Sequence, residues 1–175
     1  MQMNKKYVPL LFGLVPAIVL LLFLGSKLYT VSTGEEILLD TAPVDPRDLF
    51  RGDYVILSYS ISTIDNETLG DMQFERQENI YASLSKKEKF WTVDSVSKTK
   101  PSLNENQVCL KGEIIQSRSN RVSATWGIES YFVPEGEGRP IERSRQNLSV
   151  IVVVDSSCNA IVKDLLINDT IVKFD

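Results

Sequence analysis

The chain has 175 residues, with 23 Asp and Glu against 19 Lys and Arg and no histidine. The missing imidazole excludes a Ser-His-Asp triad, a Cys-His pair and every histidine-ligated metal site. All 23 acidic residues lie beyond Gly34, whereas Lys5, Lys6 and Lys27 come before it, so the remainder carries a net charge of −7; that argues against nucleic acid as a partner, since phosphate binding needs a basic face.

Residues 7–25 form an uncharged, mostly apolar run, long enough to cross a bilayer core of roughly 30 Å as a helix. Gly13 and Pro16 are compatible with a membrane helix. A cleaved signal peptide would have a shorter apolar stretch and a small-x-small site after it, and Gly25-Ser26-Lys27-Leu28-Tyr29 is not such a site. Lys5 and Lys6 precede the run and only Lys27 follows it. This asymmetry predicts a single-pass cell-membrane protein with residues 1–6 in the cytoplasm. Residues 26–34 then read as a linker, and 35–175 as one extracytoplasmic domain.

The domain reads as mainly β, a compact antiparallel fold with one or two short helices. Glu35–Asp40 predicts a short strand. Asp53–Ile61 alternates, with Val55, Leu57, Tyr59 and Ile61 on one face and Tyr54, Ile56, Ser58 and Ser60 on the other. A helix is expected over Leu69–Asn79. Ile80–Leu84 and Phe90–Val96 predict a hairpin with a charged tip at 85–89. Val108–Gln116 and Arg121–Val133 predict another around 117–120. Pro140–Asn147 follows a Gly-rich turn and reads as a helix, since Pro suits a first turn. Leu148–Val154 is apolar on both faces, as a strand buried on both sides should be. Ala160–Leu166 and Ile171–Phe174 complete the sheet. Cys109 and Cys158 could pair in an oxidising compartment, or pack as free thiols within apolar runs.

Two segments concentrate chemistry. Before its strand, the first packs Asp45, Arg47, Asp48, Arg51 and Asp53 around Gly52, the pattern of a self-paired turn in which Arg grips carboxylates by two prongs. The second holds Glu129, Tyr131, Glu135 and Glu137. These glutamates could hold a hard cation, but their spacing matches no known loop. Gly52, Asp53, Tyr54, Leu57 and Tyr59 stand in the order Gly-Asp-Tyr-x-x-Leu-x-Tyr, and residues 127–138 read GIESYFVPEGEG. In these two segments the chain resembles the GDYxxLxY family, and the strands from Leu148 to Leu166 fit as well. Residues 156–159, Ser-Ser-Cys-Asn, depart from the tighter turn expected there. The resemblance implies a prokaryotic membrane-anchored protein, of a kind encoded beside polytopic membrane proteins.

The expected function is a non-enzymatic accessory or interaction protein docking on a polytopic membrane partner, without a cofactor or metal. The candidate contact residues are Arg47, Asp48, Arg51, Asp53, Tyr54, Glu129, Tyr131, Glu135 and Glu137. At least one of the two arginines is expected to contact the second segment. A ligand-sensing module is the alternative. A histidine-free hydrolase, for example one using Ser26 or Ser32 with Lys111, is a further one.

Overall fold

A computed structural model of the chain describes residues 8–42, 54–118, 120–134, 141 and 147–174. The first element is helix α1, Val8–Thr33. It is long and apolar enough to cross a membrane, and Leu20, Leu21 and Leu22 are all strongly exposed on successive faces. The helix does not stop at Gly25. It runs on through residues 26–33, the stretch expected to be a linker.

The described strands are β1 Glu35–Asp40, β2 Tyr54–Ile56, β3 Thr63–Asp65, β4 Asn79–Lys87, β5 Phe90–Ser97, β6 Gln107–Arg118, β7 Arg121–Thr125, β8 Ser130–Phe132, β9 Leu148–Val154, β10 Ala160–Ile167 and β11 Thr170–Ile171, with a short helix, α2, at Asn66–Leu69. All pairings are antiparallel. One sheet has the order β1-β9-β10-β11 and another β3-β7-β6-β4-β5, while β2 and β8 form a two-stranded ribbon. The mainly β reading therefore holds.

The two larger sheets share one core. Ile37, Leu39, Val150 and Val152 enter it from the first, and Ile80, Ala82, Leu84, Leu110 and Ile114 from the second. β9 is buried along almost its whole length, as its two apolar faces require. A disulfide joins Cys109 on β6 to Cys158 in the β9–β10 turn, with Cα atoms 4.9 Å apart. It ties the second sheet to the first.

Four further expectations are corrected. The strand expected over Ile171–Phe174 is only the two-residue β11, Thr170–Ile171. Leu69–Asn79 is not a helix: α2 ends at Leu69, where the N–H of Gly70 closes on the carbonyl of Asn66, and Leu69 and Phe74 are then drawn separately into the core. The strand expected over Arg121–Val133 is broken between β7 and β8. The strand expected over Asp53–Ile61 is regular only at β2, and a 3-10 turn occupies Ser60–Ser62. The face assignment survives these breaks, since Val55, Leu57, Tyr59 and Ile61 are all buried. Of the helix expected over Pro140–Asn147, only Ile141, which is buried, and Asn147 lie within the described residues.

The end of α1 is fastened to the domain. Thr30, 3% exposed, donates its hydroxyl to the Asp155 carboxylate at 2.6 Å. The same carboxylate accepts the backbone N–H groups of Ser157 and Asn159 and the Asn159 amide. Burial alone would raise the Asp155 pKa, but the hydrogen bonds from Thr30, Asn159 and Ser157 outweigh it and hold the carboxyl below its usual range. A depressed folded-state pKa gives stability that is present above the unfolded-state value and lost as the pH falls through the folded one. Acid titration of the folded chain should therefore show loss of stability below the usual carboxylate range. Asp155→Asn should remove that component, and identical acid profiles for the two would contradict the fastening role.

Gly34 completes the joint. A Cβ there would lie 2.5 Å from Val153 Cγ1, 2.6 Å from the carbonyl oxygen of Thr30 and 2.8 Å from that of Val154. Two of these neighbours are backbone and cannot swing away. Gly34→Ala should cost about 1–3 kcal/mol, read as a lower denaturant midpoint; an unchanged midpoint would show that the helix separates freely from the sheet.

Candidate functional site

The two motif segments meet on adjacent strands. Tyr54 pairs with Phe132, Val55 with Tyr131 and Ile56 with Ser130. In this antiparallel register, the chain before Tyr54 and the chain after Phe132 leave the ribbon at the same end. Arg47, Asp48, Arg51, Asp53, Glu135 and Glu137 lie outside the described residues, as does the expected arginine contact. The strands that carry their segments are direct neighbours.

Three further bonds lock the ribbon. The N–H of Leu57 donates to the carbonyl of Glu129 at 2.7 Å. The hydroxyl of Tyr59 donates to the carbonyl of Ile128 at 2.6 Å. Burial, with the Glu129 carboxylate nearby, pushes the Tyr59 phenol far above its usual pKa, so it stays a neutral donor. The carboxylate of Glu129 accepts the N–H of Trp126. Between them, Gly127 takes a φ of +76°, which lets the chain turn from β7 into β8 without the penalty a side chain would bring. The last tyrosine of one motif thus braces the first residues of the other.

Inward and outward residues separate cleanly. Val133 is buried and Tyr131 half-buried, its ring 6.3 Å from that of Phe174. Burial first, then the charge of Asp164, raises the Tyr131 phenol. Tyr54 and Phe132 point outward as an edge-to-face pair, with centroids 5.6 Å apart. Of the described candidates, Tyr54 offers an open surface, whereas Glu129 turns its carboxylate to its own backbone. Phe132 was not among the expected contacts, although alternation from Tyr131 places it on the outward face.

The serines proposed for a hydrolase bond to carbonyls of their own helix, Ser26 to Phe23 and Ser32 to Tyr29. Among the described residues no cluster of three or more acidic or cysteine side chains could hold a metal ion.

A family model described as GDYXXLXY protein matches residues 16–165. The chain belongs to this family. The match takes in most of α1 as well as both motif strands of the GDYXXLXY protein, so helix and ribbon fall within one family unit. No curated protein and no solved structure matches the chain.

Proposed function

We propose that this GDYXXLXY protein is a single-pass, membrane-anchored accessory protein. Its N-terminus is cytoplasmic, and its β domain docks outside the cytoplasm on a polytopic membrane partner without catalysing a reaction. The observation that carries the reading is the β2–β8 pairing. It makes the strands that carry the two motifs direct neighbours, and on this reading the charge-rich stretches adjoining them in sequence act as one recognition surface. Loops on a rigid scaffold are where binding residues concentrate. The disulfide favours an oxidising compartment for the domain, and Lys5 and Lys6 favour a cytoplasmic N-terminus.

The test is capture of the full chain from membranes solubilised in a mild detergent. A multi-spanning protein should come with it, and should be lost when Arg47 and Arg51 are both changed to Ala. Recovery of the chain alone would sink the docking reading. A reporter fused after Asp175 checks orientation separately, since it should work only in a form active outside the cytoplasm.

A further inference from the structure

Beside the ribbon lies an open apolar groove that the docking reading leaves unused. One wall is the last turns of α1, with Lys27, Leu28 and Val31; the other is Tyr131 and Phe132 of β8 with Ile161 of β10. Leu28 is 61% exposed, Val31 51% and Phe132 59%, and Tyr54 continues the patch at 52%. Among the described residues that line the groove there is no carboxylate, and the single charge is that of Lys27. This stands out in a domain whose net charge is −7.

The groove has a defined height along the helix. The apolar part of α1 from Val8 to Gly25, at about 1.5 Å per residue, spans about 27 Å, close to the roughly 30 Å hydrocarbon core. Leu28 and Val31 lie three and six residues further, about 5 and 9 Å along the axis. The polar layer on each side of a bilayer is roughly 5–7 Å thick. The groove therefore begins at headgroup height, at Leu28, and ends just outside that layer, at Val31. Amphipathic aromatic rings favour that layer, and an isolated lysine there meets lipid phosphate rather than like charge.

We propose that the groove and the Tyr54–Phe132 pair seat on the lipid–water interface of the membrane that α1 enters, with Lys27 against lipid phosphate. The outer domain then rests on the bilayer through this one apolar face, while the rest of its acidic surface stays in water. The inference rests on the anchored reading of α1.

Tryptophan quenching in vesicles tests it. The full chain, and its variants Phe132→Trp and Tyr54→Trp, are reconstituted into phosphatidylcholine vesicles whose acyl chains are plain or brominated near the carbonyl end. Trp91 and Trp126 are buried in the domain and give the background. In plain vesicles the emission added by each new indole should lie at shorter wavelength than that of an indole in water; in brominated vesicles it should be largely lost. Both positions are exposed, so circular dichroism should match the unaltered chain, and two variants guard against a local failure. Added emission that survives bromination, in vesicles shown by flotation to carry the chain, overturns the seating and leaves the anchor standing. Shielding of the indoles only when a polytopic partner is reconstituted alongside assigns the groove to protein, and also overturns it. Failure to float with the vesicles removes anchor and seating together.

Discussion

Replacing both Cys109 and Cys158 by alanine is expected to lower the stability of the domain by about 4 kcal/mol. The estimate follows from the loop the bond closes. With a sequence separation of 49, the chain-entropy argument gives about 4 kcal/mol at 25 °C. The bond also lies where nothing local could replace it. Cys109 is 1% exposed and Cys158 fully buried. The carbonyl of Cys158 accepts the N–H of Lys111 at 2.9 Å, so covalent and hydrogen-bonded links join the same two places. In a domain with a typical margin of about 5–15 kcal/mol, the double variant should be close to its limit at 37 °C. Urea denaturation of the unaltered and double-variant chains, in the same detergent, measures the difference. A loss below about 1 kcal/mol would show that sheet packing alone holds the β9–β10 turn against β6.

Leu57→Ala should cost about 2–5 kcal/mol, the range for emptying a core leucine site. Leu57 is 2% exposed and lies between Val55 and Tyr59, both of which enter the same core. Its backbone N–H is bonded to Glu129, so the chain cannot easily shift to fill the space. Tyr54→Ala is the matched comparison three residues away. It removes half of an edge-to-face pair from an exposed surface, worth about 0.5–1.5 kcal/mol. Thermal melts that reversed the order of the two costs would overturn the assignment of faces on this segment.

The parts of this fold legible from sequence are those where one face of a strand decides burial. Glu35–Asp40 and Leu148–Val154 were readable to the residue. Alternation also gave the faces of Val55, Leu57, Tyr59 and Ile61, even where the strand itself is interrupted. What stayed hidden depends on partners far along the chain. Ser26, Lys27, Thr30 and Ser32 end the apolar run, so hydropathy stops the helix at Gly25. Backbone hydrogen bonding carries it on to Thr33, and Thr30 finds its partner 125 residues later. The wall of the groove formed by Leu28 and Val31 was invisible for the same reason. The two motifs could be seen as separate signals, but their register as neighbouring strands could not. The break before β8 depends on the positive φ of Gly127 and on Glu129 binding the N–H of Trp126, neither of which shows in a hydropathy pattern.

The fastening of α1 also bears on how the domain stands. With Thr30 bonded to Asp155 and Gly34 close against Val153, helix and sheet are joined by direct contacts rather than by a free linker. On the anchored reading, the lean of the helix is not absorbed at the joint but carried to the far end of the domain. Membrane helices lean by about 20° on average, and further when the hydrocarbon layer is thin. On the same reading, bilayer thickness would act as a mechanical input that sets the angle at which the β2–β8 ribbon stands to the membrane.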